Sequence, residues 1–442
     1  MVLYWIIFII IFIFSLKDWK RTVIMWIPIQ MLFNECICLK YTSPAVSLVL
    51  AVDMILLAEY LIKRPSRNLN NSPYLFKVAF IAYLFSYVVS MVFSIMPFTE
   101  VLTGTIKYFI QSFIIVFLFQ RALYDSDDIK LFFKTSFIVI ILIITLGLYE
   151  SVMKDNPVLD YVYLHAPTDL ISGKMYYIPP FISWRDGLSL RYGMVRAYSF
   201  FGIHIAFGCA CALLLYLYIY TLKYNYLYIR KNWIILGSFL LLLGVLMSNS
   251  KTPMAGLLFF IFAFFTLKQF VNFKTIVILF IIITIILVYA PNYLNNIIAL
   301  FNSDVAEEAG GSNVAMRTRQ FEVALNMFYN NPLFGNGVGS ISTMMKIGNN
   351  ADLLGSESSW LKILPERGII GVIAYITLYV QMYKRWKVVM HNREILFFLF
   401  GLLTMETATG FMDFTLYGSI LVLIYRYKVL MSNNIKKYDG YE

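Results

Sequence analysis

The chain of 442 residues is 60% hydrophobic and only 14% charged, with a formal net charge of +11. A soluble globular protein has too little interior to hide that much apolar surface, so lipid must cover part of it. The positive balance does not point to nucleic acid. The Lys and Arg residues gather between apolar runs, as in membrane proteins whose cytoplasmic connections are basic.

Apolar runs fall near 1–16, 22–39, 43–62, 78–96, 101–120, 131–152, 198–221, 233–249, 252–267, 275–290, 360–383, 395–411 and 414–430. At about 20 apolar residues per spanning helix, they predict about 13 transmembrane helices. The expected architecture is an all-α integral membrane protein, one polytopic domain over 1–442. Run 1–16 lacks a charged start and a small-residue cleavage site, and reads as a retained first span.

Basic connections alternate with non-basic ones along the chain. Lys17, Lys20 and Arg21 follow the first run, and Lys63, Arg64, Arg67 and Lys77 the third. Arg121, Lys130 and Lys134 surround the fifth connection, while Lys223, Arg230 and Lys231 follow the seventh run. Lys384, Arg385, Lys387 and Arg393 follow the eleventh, and Arg426, Lys428, Lys436 and Lys437 mark the end. This alternation puts the basic side and the C-terminus in the cytoplasm and the N-terminus outside. Two connections are long, 153–197 and 291–359. Four spans separate them, so both are expected on the outer face, where long loops usually carry function. Two C-x-C pairs, Cys36/Cys38 and Cys209/Cys211, lie inside apolar runs and point to different helix faces, as packed membrane cysteines do.

The first outer loop ends in WRDGLSLRYGMVRAYSFFG, with Arg185, Arg191 and Arg196 just before the seventh span. Local pairing with acids such as Asp186 and snorkelling to the lipid surface are one account. An anion site is the other, because arginine offers a permanently charged planar fork of donors suited to phosphate. The second account is favoured for Arg196; both stay open for Arg185 and Arg191.

The second outer loop carries an amphipathic helix, MRTRQFEVALNMFYNN, with Phe321, Ala324 and Phe328 on one face and Pro332 as its terminator. Arg317 and Arg319 are expected in its first turn, where a cation opposes the helix dipole. A phosphate docked there would reverse that penalty; a solvated polar face is the alternative, weightier for Arg319. In PLFGNGVGS, Gly335, Gly337 and Gly339 superficially resemble a dinucleotide loop, but no strand precedes them and the sixth position is Ser340. A tight turn against the membrane is expected instead. In SESSWLKILPERGIIG, Glu357 is expected in the first turn of a helix opened by Ser356, either as a helix-start carboxylate or as a general base. Asp125-Ser-Asp127 reads as a solvated helix start rather than a metal-holding D-x-D. His204, Glu406 and Asp413 lie in or beside spans and are functional candidates by position, with helix-to-helix hydrogen bonding the commoner outcome.

An ordered set of features now accumulates: VRAYSFFGIHIAFG, the polar junction MSNSKTPMAG, an arginine before an amphipathic helix, a P-L-F-G-x-G turn, and GIIG entering a span. Over about 196–372 the chain resembles the O-antigen polymerases and ligases, whose polymerase members are called Wzy-type. The resemblance implies a GT-C-like helical glycosyltransferase of a bacterial inner membrane, with its active site facing the periplasm or exterior. It implies an undecaprenyl-pyrophosphate-linked glycan as donor and an acceptor sugar hydroxyl that attacks the anomeric carbon with inversion, without metal, nucleotide or other cofactor. Implied partners are the lipid-linked donor and acceptor, membrane lipid and a chain-length regulator, with no nucleic acid. By position, Arg196 and Arg317 would hold the pyrophosphate, assisted by Arg191, Arg319 and Lys251, the last where SNSKT matches a family Ser-Arg junction. Aromatic residues Tyr176, Tyr177, Trp184 and Trp360 suit sugar faces. Ligase members carry His-Asn where this chain has Glu357-Ser358. That departure favours a polymerase of O-antigen, capsule or exopolysaccharide and makes Glu357 the expected base. Ligation to another acceptor is the nearest alternative. A polysaccharide-lipid transporter is a further one, although no internal repeat supports it.

Overall fold

The computed structural model describes residues 2–33, 37–40, 46–63, 73–165, 190–191, 194–224, 230–264, 314–341, 358–410 and 413–438. The described chain is helical apart from two short antiparallel hairpins, β1 (Cys38–Lys40) with β2 (Val46–Ser47) and β3 (Leu190–Arg191) with β4 (Met194–Val195). In chain order the first helices are α1 (Val2–Lys17), α2 (Trp19–Ile29), α3 (Leu48–Lys63), α4 (Lys77–Val92), α5 (Phe98–Phe109) and α6 (Ile115–Ala122). A π-helical turn over Ile110–Ile114 joins the last two. Then follow α7 (Ser126–Met153), α8 (Pro157–His165), α9 (His204–Tyr224), α10 (Lys231–Met247) and α11 (Lys251–Phe264). The last are α12 (Val314–Asn330), α13 (Ser359–Trp386), α14 (Asn392–Thr409) and α15 (Phe414–Tyr438).

Four helices among the described residues are long and apolar enough to cross a membrane: Phe98–Ala122, Ser126–Met153, His204–Tyr224 and Ser359–Trp386. Shorter apolar helices occupy Leu3–Lys17, Lys77–Val92, Lys231–Met247 and Lys251–Phe264. Run 22–39 departs from expectation. It makes an 11-residue helix ending at Ile29, then a 3-10 turn and the β1 strand. Pro28 removes a backbone donor at the helix end, and polar Asn34-Glu35 interrupts the run. Run 275–290 lies outside the described residues.

The expected D-x-D helix start is observed. Asp125 caps α7, accepting from the backbone N–H groups of Asp127 (2.9 Å) and Asp128 (3.0 Å), and Asp128 reaches back in a capping box. Lys20 pairs with Asp128 at 2.7 Å, which brings the first and fifth connections together. Lys223 pairs with buried Glu394 at 2.8 Å, and Lys428 lies 4.7 Å over the Tyr224 ring. Phe133 packs on Tyr218 at 5.5 Å, while a Cβ on Gly147 would meet Phe207 at 3.3 Å. Helices α7 and α9 are therefore antiparallel, and these basic connections share one end of the bundle.

Helices α4 and α13 form the pair that positions the site. At the basic end Gln381 accepts from the Ala79 N–H (2.6 Å) and donates to the Leu75 carbonyl (2.8 Å), with Phe76 stacked on Trp386 at 5.0 Å. At the other end Ser90 Oγ donates to the Glu366 carbonyl at 2.6 Å. Ile81, Phe85 and Val88 on α4 and Ile369, Ile373, Ile376 and Val380 on α13 are exposed at helical spacing, as lipid-facing stripes require. Between those stripes lie the buried faces.

Candidate functional site

Helix α13 is broken near its start. Pro365 supplies no N–H, and Gly368 adopts φ 59° and ψ −158°, a conformation that side chains other than glycine's rarely tolerate. The Gly-rich turn after α12 fills the break. Ile369 N–H donates to the Pro332 carbonyl (2.9 Å) and Ile370 N–H to that of Leu333 (3.3 Å). In return Asn336 N–H donates to the Pro365 carbonyl (2.9 Å) and Gly337 N–H to that of Glu366 (3.0 Å). Gly339 N–H donates to Glu366 Oε1 at 2.9 Å, and Asn336 Nδ2 donates to the carbonyls of Met327 (2.7 Å) and Pro365 (3.0 Å). Ile95 N–H donates to the Asn336 carbonyl (3.0 Å), adding the end of α4 to the weld. The approach is too close for side chains. A Cβ on Gly335 would lie 2.3 Å from the Glu366 backbone, and one on Gly337 1.9 Å from Ser94 Oγ. The expected tight turn is thus present. Because the N–H groups of Asn336, Gly337 and Gly339 are spent on α13, the turn is a structural weld rather than a phosphate cradle.

The weld holds Arg367, which is 4% exposed. Its guanidinium lies 5.2 Å from the Tyr83 ring and 4.6 Å from the Tyr87 ring, and Tyr108 stacks on Tyr87 at 5.1 Å. Tyr83 and Tyr87 are four residues apart on α4, so they share one face. Tyr108 stands just before the π turn, a feature frequent at functional sites. Among the described residues, Arg367 Nη1 has no hydrogen-bond partner, and neither has the buried Tyr83 hydroxyl. Cation–π contact returns about 2 kcal/mol when desolvated, against several kcal/mol for an unpaired buried charge.

A second buried cluster stands beside the first. Glu406 on α14 is 1% exposed. Its Oε2 accepts from the hydroxyls of Tyr375 and, at 2.7 Å, Tyr379, both on α13, while Oε1 has no hydrogen-bond partner among the described residues. Both clusters draw on α13, Arg367 in one and Tyr375 and Tyr379, eight and twelve residues further on, in the other. At the rim, Trp360 Nε1 donates to Thr407 Oγ1 (3.1 Å) and the indole meets Tyr375 edge-on at 4.9 Å.

The residues expected from the sequence distribute as follows. Arg196 is 6% exposed, and its neighbour Ala197 donates its N–H to the Met247 carbonyl at 3.0 Å. That bond sets Arg196 beside the α10–α11 junction, where Asn249 takes φ 46° and half-buried Lys251 begins α11. Glu150 fixes the same segment. Its Oε2 accepts from the N–H groups of Tyr198 (2.9 Å) and Ser199 (2.8 Å) and from Asn156 Nδ2 (3.0 Å). Lys251 stands five residues before Gly256, where a Cβ would meet Met405 at 2.8 Å, so α11 starts at the Glu406 end of α14. Arg191 lies in β3.

Two local expectations change. Helix α12 begins at Val314, so exposed Arg317, its fourth residue, closes the first turn as expected, whereas Arg319, also exposed, falls in the second turn, past the helix N-terminus. Its buried face is Gln320, Ala324 and Met327, whereas Phe321 is 51% exposed. The contact that decides this face is the small cluster with Ile341 and Leu361, which the isolated helix pattern does not contain. Helix α13 opens with Ser358 as N-cap and Ser359 as its first residue, so Glu357 precedes the helix rather than sitting in its first turn. Glu357 itself, like Tyr176, Tyr177, Trp184 and Arg185, lies outside the described residues. Arg367 is not among the residues expected from sequence. Its signal there is a charge embedded where an apolar span begins. Among the described residues no group of three His, Cys, Asp or Glu side chains is placed to hold a metal.

Residues 236–376 match the family model described as O-Antigen ligase. The matched segment contains Lys251, Arg317, Arg319, the Gly-rich turn, Trp360 and Arg367; Arg191, Arg196 and Glu406 fall outside it. Over this segment the match is consistent with the O-antigen polymerase and ligase family, and the apolar helices are consistent with a membrane protein. No curated protein matches the chain.

Proposed function

With residues 236–376 carrying an O-antigen ligase family domain, we propose that the protein is a Wzy-type polymerase of undecaprenyl-pyrophosphate-linked repeat units. The observation that carries this reading is the weld between the Gly-rich turn and the broken start of α13. It ties the Arg317-bearing helix, within the family segment, to a buried cluster of charged and phenolic groups. A transporter has no evident need for such a rigid polar centre at one end of the bundle.

In this reading the acceptor sugar hydroxyl attacks the anomeric carbon of the donor. The bond from that carbon to the pyrophosphate oxygen breaks, the pyrophosphate departs as an anion, and the configuration inverts. Glu357 takes the acceptor proton. Arg196, Arg317 and Lys251, with Arg191 and Arg319, stabilise the charge growing on the leaving group. Trp360 and Trp184 offer aromatic faces to the sugars. Glu357 in place of the ligases' His favours polymerisation over ligation. The active site faces the periplasm or exterior, opposite the basic end of the bundle.

The test is elongation by purified protein given lipid-pyrophosphate repeat units. The expected result is a ladder of lengths from wild type, single repeats from Arg317→Ala, and loss of elongation in Glu357→Gln. Transfer of a single glycan to a different lipid would replace the polymerase with a ligase. Translocation without any lengthening would remove the enzyme reading.

A further inference from the structure

We propose that Arg367 and Tyr83 form a phosphoryl-binding site inside the helix bundle, and that it takes the pyrophosphate of the prenyl-linked donor. This rests on the glycan-transfer reading above and adds Arg367 and Tyr83, from inside the bundle, to the arginines that hold the same leaving group.

Three buried polar atoms on α4, α13 and α14 lack hydrogen-bond partners among the described residues: Arg367 Nη1, Tyr83 Oη and Glu406 Oε1. The guanidinium is surrounded by tyrosine rings and forms no ion pair at contact distance among the described residues, the neighbouring Glu366 acting on it only from further off, so Nη1 has room for an anionic acceptor. Its planar fork suits phosphate oxygens, and the Tyr83 hydroxyl supplies another donor beside it. The Glu406 carboxylate is an acceptor, already held on Oε2 by two tyrosine hydroxyls. It repels a phosphate but accepts a hydroxyl. Phosphoryl oxygens meet the requirement of Arg367 Nη1 and Tyr83 Oη together, and a sugar linked through pyrophosphate also carries hydroxyls of the kind that the Glu406 carboxylate accepts.

Position supports the same occupant. Arg367 lies about 12 Å along α13 from Ser359, by the rise of a regular helix, and the last turn of α13 is basic with Lys384 and Arg385. The site therefore lies in the half of the helix away from the basic end, within reach of a headgroup whose prenyl tail remains in lipid. The weld fixes the Arg367 backbone, and the π turn brings Tyr108 against Tyr87 behind it. Such a rigid setting suits recognition of a small dense anion.

The test uses the full chain in phosphatidylcholine nanodiscs with farnesyl pyrophosphate as probe, followed by ligand-dependent thermal shift and by titration. Wild type is expected to bind farnesyl pyrophosphate more tightly than farnesyl monophosphate. Arg367→Gln is expected to weaken binding at least tenfold, and Tyr83→Phe several-fold. Tyr83→Phe removes a hydroxyl with no internal bond to lose, so it keeps the test valid if Arg367→Gln fails to fold. Unchanged affinity in Tyr83→Phe together with either unchanged affinity or misfolding in Arg367→Gln overturns the site. Wild type that elongates glycan yet does not bind the probe also overturns the site alone. Absence of both binding and elongation overturns the reading on which it rests. If nanodiscs containing phosphatidylglycerol compete with the probe in wild type but not in Arg367→Gln, the phosphoryl group is that of a bilayer lipid and the donor assignment falls.

Discussion

Asn336 holds Pro365 twice, through its backbone N–H at 2.9 Å and its side-chain amide at 3.0 Å. This grip satisfies the Pro365 carbonyl, whose helical donor, the Ile369 N–H, is turned to Pro332 at the Gly368 break. It also links two segments that sequence separates by a long stretch. The consequences can be measured at the weld and at the groups it holds.

Gly337→Ala should disrupt the weld. The added Cβ would fall 1.9 Å from Ser94 Oγ, and φ at this position is 95°. Positive φ alone costs about 1–3 kcal/mol, before the clash. A clear fall in the unfolding midpoint of detergent-purified protein is expected, with loss of elongation. Gly339→Ala meets no atom within 4 Å, so it carries the backbone strain, at φ 89°, without the clash. It should lose less stability than Gly337→Ala in the same measurement.

Arg367→Met separates stability from activity. Replacing the guanidinium by an apolar side chain of similar length removes a desolvation cost of several kcal/mol and gives up cation–π contact of about 2 kcal/mol. The unfolding midpoint without substrate should hold or rise, while elongation falls at least tenfold. A large drop in midpoint would mean that the tyrosine box, rather than a ligand, is what the arginine serves.

Glu406→Gln keeps an oxygen that can accept from Tyr375 and Tyr379, so helices α13 and α14 should stay joined. Glu406→Ala removes the acceptor of both hydroxyls; Tyr375 still donates to Tyr379 Oη at 3.4 Å, so one donor is left without a partner, at about 1–3 kcal/mol. Near-native melting with reduced elongation is expected for the first variant, and lowered melting for the second. Equal elongation by wild type and Glu406→Gln would assign the carboxylate to helix packing alone.

Glu150→Ala should loosen the segment that carries Arg196. Three donors, Tyr198 N–H, Ser199 N–H and Asn156 Nδ2, lose their shared acceptor. The Tyr198 and Ser199 N–H groups become buried orphans at about 1–3 kcal/mol each, while Asn156 Nδ2 keeps the Ser199 carbonyl at 2.9 Å. Thermal unfolding should shift down by several degrees, and faster proteolysis or hydrogen exchange near Arg196 should accompany it. Protection unchanged at Tyr198 and Ser199 would contradict the anchoring role.

Hydropathy made the helical membrane class and the basic end of the bundle legible. Those properties depend on composition and on the spacing of Lys and Arg, which no packing arrangement alters. The capping box at Asp125 and the tight Gly335–Gly339 turn were equally local, because proline, glycine and side-chain caps act on their own neighbours. The buried face of α12 was not. Phe321 is the more apolar side chain, yet Gln320 is buried, because the partner surface at Ile341 and Leu361 decides which face turns inward. The start of α13 likewise moved to Ser359, since its first turns answer to the Gly-rich turn as well as to their own caps.

The candidate site divides in the same way. Sequence alone determined that Glu406 is an acid in an apolar run and that arginines precede α9 and lie in α12. Only the tertiary structure decided that Tyr83 and Tyr87 of α4 and Tyr108 of α5 surround Arg367, and that Tyr375 and Tyr379 hold Glu406. Tyr83 and Arg367 are separated by more than half the chain, so their contact is a property of helix pairing. A charge within an apolar helix can be recognised in one dimension, but whether it is paired, stacked or left open depends on which helices fold against it.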